Sequence, residues 1–293
     1  MSAGGPQALT PSPGSGRASD AASVRGTALQ ADAEAPANVA AAVSANLPPD
    51  LPSNLPIRGQ RDGAGRSPQQ MFDQIAERYD RANRIMSAGV DIFWRRKAIP
   101  RLLQGLGQRP RILDLGAGTL DGALEIARRV PEATVIAADF ARQMLRAGRG
   151  KLDTPTLQAR VLPQVADGHA LPYASAAFDG AFSAFCVRNL SDLPKAMREL
   201  RRVIRPGGRI AILEFFRPAR PRLFFDKFYN AKVLPLLGWA ASGDREAYRY
   251  LPASIAAFSS LDEYAQVLRD AGFADVDAKA LFPSGVASLV VAS

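Results

Sequence analysis

Sulfur and imidazole are scarce in this chain of 293 residues, which holds one cysteine, Cys186, and one histidine, His169. A lone cysteine excludes an internal disulfide framework and fits a reducing compartment. With a single histidine beside it, a zinc site built from protein ligands is not expected, so no metal is assigned. Long apolar runs are also missing. No stretch approaches the ~20 residues that a membrane-spanning helix needs. The N-terminus lacks the apolar segment of a secretory signal, and Asp20, Asp32 and Glu34 are unlike the acid-poor transit peptides. The expected location is the cytoplasm. Residues 1–65 have almost no aromatics and no sustained hydrophobic period, and are rich in Ala, Pro, Gly and Ser. Such a segment buries too little apolar surface to offset its conformational entropy, and is expected to be disordered. Residues 66–293 are expected to form one domain with a full core.

What the chain has in excess is positive charge. Its formal net charge is +9, and residues 1–65 carry four arginines against five acids, so residues 66–293 hold about +10. An excess of this sign suits an anionic partner, either nucleic acid or an acidic membrane surface. A basic protein with no such partner has the same composition.

The folded region opens at Ser67-Pro68-Gln69-Gln70, which reads as a helix start with Ser as N-cap, Pro at the first helical position and Gln three after the cap. Met71, Phe72, Ile75, Ala76 and Tyr79 follow at helical spacing, and a second helical stretch near 91–103 is interrupted at Pro100. From Arg111 short apolar runs alternate with amphipathic segments. Strands are predicted over 111–115, 134–138, 160–165, 178–182 and 209–213, and helices over 121–129, 141–150 and 193–203. That alternation implies a parallel sheet covered on both faces. Residues 276–281 and 288–291 read as two strands joined by a Pro-Ser-Gly turn. The expected fold class is α/β: a Rossmann-like, mostly parallel seven-stranded sheet with helices on both faces, closed by a C-terminal antiparallel hairpin.

The first strand runs directly into the turn Asp114-Leu115-Gly116-Ala117-Gly118-Thr119. At the carboxyl edge of a doubly wound sheet, such a turn is where ligands bind. A dinucleotide site wants a third glycine where Asp121 stands, and a carboxylate there repels pyrophosphate. Asp114 and Asp121 instead suit a cationic ligand bearing an ammonium and a sulfonium. Asp139, 21 residues beyond Gly118 at the tip of the second strand, is placed to accept both hydroxyls of a ribose. These features point to S-adenosylmethionine. Asp167 and Gly168 follow the third strand, where an acid can accept from an adenine amino group. His169 tempts a general-base assignment, but a residue flanking the cofactor is the expected role.

Four segments resemble the UbiE-type ubiquinone/menaquinone C-methyltransferases. Tyr79-Asp80-Arg81-Ala82-Asn83-Arg84-Ile85-Met86-Ser87, with Trp94 downstream, is similar to the family's first signature. Residues 202–209 through Leu213-Glu214-Phe215 resemble its second. Phe185-Cys186-Val187-Arg188-Asn189-Leu190 is similar to its Arg-Asn segment, and Ala247-Tyr248-Arg249-Tyr250-Leu251 to its late Tyr-Arg-Tyr motif. The resemblance runs from about Met71 to the C-terminus. It implies C-methylation of a polyprenylated quinol, either a demethylmenaquinol or a methoxy-benzoquinol, with cofactor contacts at Thr119, Asp139, Asp167 and Gly168. Departures stand at Ala82, Asp91, Leu120, Ala184, Cys186 and Phe216, where the family usually has Met, His, Gly, Ser, Gly and Ser.

Within that frame, Arg188 and Asn189 are the expected catalytic pair at the carboxyl edge. Arg188 stabilises phenolate character in the acceptor, being too strongly basic to act as a direct base; Asn189 orients the ring. A purely structural pairing of Arg188 with Glu214 is the competing reading. Tyr248, Arg249 and Tyr250 are expected to line the acceptor pocket, and the apolar and basic residues of 215–239 to cover a prenyl tail and touch an anionic membrane at the inner face of the cell membrane. Methylation of another small molecule or a lipid amine is the alternative. RNA methylation is not expected, since no added recognition domain or Pro-Pro-Tyr-type loop is present.

Overall fold

In a computed structural model of the chain, the described residues are Met1, 67–87, 89–217, 245–281 and 287–293. Contacts divide the chain at Ser53/Asn54, and every helix and strand described belongs to the second unit. The expected disorder of residues 1–65, the cover predicted over 218–239 and the Pro-Ser-Gly turn lie outside the described residues.

The helix start reads as expected. Helix α1 (Pro68–Ser87) begins with Ser67 Oγ accepting from Gln70 N at 3.3 Å, while Gln70 Oε1 accepts from Ser67 N at 3.0 Å, so each residue satisfies a backbone donor left open at the helix end. Helix α2 spans Val90–Leu103 and runs through Pro100. The predicted interruption is absent. Pro100 forfeits one backbone bond at a cost of about 3 kcal/mol, but its ring is exposed while Ala98, Ile99 and Leu102 beside it are fully buried. Their burial, at roughly 1.5–3 kcal/mol for each large side chain, outweighs the loss.

The sheet has the order β3-β2-β1-β4-β5-β7-β6. Strands β1 (Arg111–Leu115), β2 (Thr134–Asp139), β3 (Val161–Val165), β4 (Phe178–Ala184) and β5 (Ile204–Phe215) are parallel. The antiparallel pair β6 (Val276–Ala280) and β7 (Ala287–Ala292) closes one side, with β7 against β5. The crossover helices are α3 (Asp121–Arg129), α4 (Arg142–Arg149), α5 (Pro155–Arg160) and α6 (Leu193–Val203), followed by α7 (Arg245–Ala257) and α8 (Leu261–Asp270). One apolar layer joins the sheet to α2, α3 and α5, and the other joins it to α6 and α8. Burial on both faces is why β1 and β2 read as continuous apolar runs.

Three elements differ from expectation. Strand β5 begins at Ile204, because the Pro206-Gly207-Gly208 segment, which looks like a turn, is accommodated by a register shift opposite Phe178 and Gly180. Helix α5 forms where no helix is predicted, capped by Thr154, whose hydroxyl accepts from Leu157 N. Helix α7 carries the Tyr-Arg-Tyr motif, which is therefore helical.

Candidate active site

The carboxyl ends of β1, β2, β4 and β5 converge on one edge, and α1 lies across it. At β1, Gly116 and Ala117 both donate backbone N–H to Ala138 O, at 2.8 and 3.0 Å, which ties the loop to the tip of β2. Gly116 has φ 72°, and a Cβ there would sit 2.2 Å from Cys186 Sγ. Only glycine meets both demands. Burial pushes the Cys186 thiol up, so it stays protonated.

Asp139 ends β2 as expected, with Oδ2 accepting from Gly118 N at 2.8 Å and Oδ1 from Ala141 N at 2.8 Å. Burial nevertheless raises its carboxyl to about 6. Each oxygen keeps a lone pair for a further donor. Asp114 is placed differently from the sequence reading. It is 2% exposed, and its Oδ2 lies against Gly122 in the first turn of α3, where a Cβ would come within 2.8 Å. That oxygen has no hydrogen-bond partner, and burial pushes the carboxyl up to about 7.

Asp121 is not left for a cationic ligand. It accepts from Lys151 Nζ at 2.7 Å and from Arg84. Although burial opposes its charge, Lys151, Arg95 and Arg84 hold its carboxyl below the usual range. Thr119 hydrogen-bonds Asp80 of α1, which also pairs with Lys151. Asp80 was legible only as part of a family signature; its partner lies 39 residues away. Tyr79, next to it, is half-buried, its phenol is raised by desolvation, and it feels the charges of Arg188 and Asp139. No local pattern in the sequence connects it to either.

Beyond β3, Asp167 Oδ1 accepts from His169 Nδ1 at 2.7 Å and from His169 N at 2.9 Å. The histidine hydrogen bond holds this carboxyl below its usual range. Nε2 of His169 accepts from Asp192 N at 3.1 Å, just before α6. The histidine is therefore a strut between loop and helix. Gly168 packs beside Leu190 and Leu115.

At β4 and β5 the site is built on a buried ion pair. Arg188 is 7% exposed in its side chain, and Glu214 is fully buried. Nη1 of Arg188 donates to Glu214 Oε1 at 2.6 Å and to Phe185 O at 2.8 Å, and Nε donates to Ser254 Oγ at 3.3 Å. The pairing of Arg188 with Glu214, weighed as the competing role, is thus present. Phe185 adopts φ 58°, an outlying conformation for a bulky residue, which turns its carbonyl toward Arg188 and Asn189. Its ring stacks on Phe215 at 4.8 Å, with Trp94 edge-on to Phe215 at 5.9 Å. Asn189 Oδ1 accepts from Tyr250 OH at 3.0 Å, which joins α7 to the Arg-Asn turn. The side chains of Tyr248 and Arg249 lie outside the described residues. Arg188, Ser254, Leu190, Leu193 and Phe258 line a cleft of about 580 Å³.

The family departures are absorbed structurally. Leu120 takes φ 70° and is fully buried among α3 and α4 residues, so it does not crowd the loop's open side. Phe216 joins Phe258 and Tyr264 in the core. Asp91 is a buried anchor for Arg84, Ser87 and Arg95.

The model of the ubiE/COQ5 methyltransferase family matches residues 62–292. The chain belongs to the ubiE/COQ5 methyltransferase family. A demethylmenaquinone methyltransferase of Thermus thermophilus is 44% identical over 206 residues, covering 69% of this chain and 91% of that protein. The ubiquinone/menaquinone biosynthesis C-methyltransferase UbiE of Geotalea uraniireducens is 39% identical over 214 residues, covering 71% and 88%. Among solved structures, the cyclase SpnF is 21% identical with a TM-score of 0.55, over 73% of this chain and 76% of that one. A methyltransferase of Haloferax volcanii solved with its Trm112 activator is 17% identical with a TM-score of 0.54, over 80% and 98%. These two likenesses support the fold.

For this member of the ubiE/COQ5 family, S-adenosylmethionine is the cofactor, as the loop led us to expect. The residues present fit it. Two carboxylates, Asp139 and Asp167, stand at the tips of β2 and β3 to accept from hydroxyl and amino donors, while Lys151 and Arg84 beside the loop are occupied by Asp80 and Asp121 and do not await a phosphate. Among the described residues no cluster of His, Cys, Asp and Glu is arranged to hold a metal ion, and no helix is long and apolar enough to cross a membrane.

Proposed function

We propose that the protein methylates a ring carbon of a polyprenylated quinol, a demethylmenaquinol or a demethylated benzoquinol. The observation that carries this reading is the Arg188–Asn189 turn, fixed by Glu214, Phe185 O, Ser254 and Tyr250 beside a cleft of about 580 Å³. The relatives named as demethylmenaquinone and UbiE-type methyltransferases support the acceptor class.

When bound, S-adenosylmethionine supplies an electrophilic methyl group on a sulfonium. Asp139 accepts the ribose hydroxyls and Asp167 with Gly168 receives the adenine. Gly116, Gly118 and Thr119 form the close-fitting backbone of the loop. Asp114, at the end of β1, is a desolvated carboxyl pushed up to about 7, whose charged form a cation at this edge would favour. On the acceptor side Arg188 hydrogen-bonds the phenolic oxygen, which enriches the ring carbon in electron density. Its pairing with Glu214 keeps it protonated and fixed in place, so it is a donor throughout. Asn189, held by Tyr250, aligns the ring, with Tyr248 and Arg249 completing the pocket. The ring carbon would form the new C–C bond as the S–CH3 bond breaks with its electron pair left on sulfur, and the ring would then lose its proton to water. Alignment of the two partners out of bulk solvent supplies the main part of the barrier reduction. A substrate of this kind resides in a bilayer, so the protein works in the cytoplasm in contact with an anionic membrane.

The test is transfer of labelled methyl to short-chain demethylmenaquinol, a demethylated benzoquinol, a phospholipid amine and total RNA. Label should enter a quinol and neither of the last two. Absence of turnover with both quinols overturns the reading.

A further inference from the structure

Large exposed hydrophobic side chains are few. Among the described residues, and Met1 apart, they are Ile85 at 48% and Phe93 at 47%. Both lie at a single corner, Ile85 in the last turn of α1 and Phe93 in the first turns of α2. Isolated exposed hydrophobics are ordinary on a protein surface; these two stand on either side of the junction between α1 and α2.

The same corner is strongly basic. Between residues 81 and 101 there are six Arg and Lys residues and one acid, Asp91. Asp91 is buried and already bonded to Arg84 and Arg95. Arg81, Arg96 and Lys97 are exposed. Lys97 Nζ stands 5.4 Å over the Phe93 ring, and Arg96 lies 4.0 Å from Glu125. Apolar side chains rimmed by cations are the composition that settles into the headgroup layer of an anionic bilayer, where the rings and branched chains enter the interface and the cations meet lipid phosphates.

The corner is also close to the chemistry. Ile85 is five residues along α1 from Asp80, about 7–8 Å at the helical rise, and Asp80 holds Thr119 of the cofactor loop. Phe93 precedes Trp94, which packs on Phe185 and Phe215 beside Arg188. We propose that the α1–α2 corner, through Ile85 and Phe93 with Arg81, Arg96 and Lys97 around them, docks the protein on anionic lipid and presents the catalytic edge to a membrane-dissolved acceptor. The choice of lipid as occupant rests on the quinol reading above, together with the charge of the corner.

The experiment is flotation of the full-length protein with phosphatidylcholine vesicles, with and without one quarter phosphatidylglycerol. Wild type should partition at least tenfold more strongly onto the anionic vesicles, and lose that preference in high salt. Ile85→Ser with Phe93→Ser should weaken anionic partitioning about tenfold, with unchanged melting and unchanged turnover of a short-chain quinol in solution. If that pair compromises folding, Arg96→Glu with Lys97→Glu should give a similar loss at solvent-exposed positions. Wild type that ignores anionic vesicles, or folded variants that partition within twofold of it, overturn the proposal. Flotation needs no substrate, so failure of quinol turnover with intact partitioning would count against the function alone.

Discussion

The two halves of the catalytic edge solve opposite electrostatic problems. Over β1 and β2, Asp114 and Asp139 are desolvated and their carboxyls are pushed up to about 7 and about 6. Over β4 and β5, Arg188 is equally enclosed but meets Glu214 directly. A buried charge is costly unless it is paired. The first half therefore holds negative charge that a cationic ligand relieves, whereas the second is neutral overall and offers a rigid donor. On the function proposed above, this contrast in charge separates the cofactor side of the edge from the acceptor side.

The sharpest way to break the comparison is to disable each half separately. Asp139→Asn should weaken cofactor binding by about 10- to 100-fold, since one of its two acceptor oxygens becomes an amide donor and a hydrogen bond to a charged acceptor, worth roughly 1.5–3 kcal/mol, is lost. Arg188→Lys keeps the charge but loses the planar fork. It should lower turnover by about 100-fold while calorimetric cofactor affinity stays within twofold. Equal effects of both variants on both quantities would dissolve the distinction.

A smaller effect separates the loop's conformation from its chemistry. Leu120→Gly relieves a left-handed backbone worth about 1–2 kcal/mol but empties a buried leucine site worth about 2–5 kcal/mol. Thermal or urea unfolding should show a net loss of about 1–3 kcal/mol. A gain in stability would mean that the backbone strain outweighs the packing.

The smallest test is pH. A carboxyl raised to about 6 must give up its proton before it accepts two hydroxyls, so affinity is full above that value and declines below it. Between pH 7 and pH 5 the cofactor dissociation constant should rise at least about tenfold, and Asp139→Asn should remove most of this rise, leaving the smaller part carried by Asp114.

Much of the fold was legible because local and global preferences agree. The β1 strand, the glycine turn and α3 are each marked by composition, and the Ser67/Gln70 cap is a four-residue pattern that forms as written. Asp139 was legible from its distance along a strand–turn–helix unit. What escaped depended on partners far away in sequence. Pro100 looks like a helix break until Ile99 and Leu102 find the sheet, and the Gly207-Gly208 segment looks like a turn until β4 is beside it. Asp121 read as a ligand for a cation because Arg84 and Lys151 cannot be seen next to it in one dimension. Asp114 read as a loop residue because the face a strand residue presents depends on which helix covers it. Arg188 with Glu214 was visible as one of two roles, and the geometry accommodates both.

Thr119 and Asp121 are joined through Asp80, Arg84 and Lys151 to α1, the helix whose last turn carries Ile85. This has a thermodynamic corollary. If occupancy of the loop steadies α1, then whatever steadies the far end of α1 must tighten the loop's hold on its cofactor by the same factor, because coupling between two binding events is reciprocal. A lipid surface under Ile85 would then act as an effector of cofactor affinity, and vesicles added to a cofactor titration would measure that coupling directly.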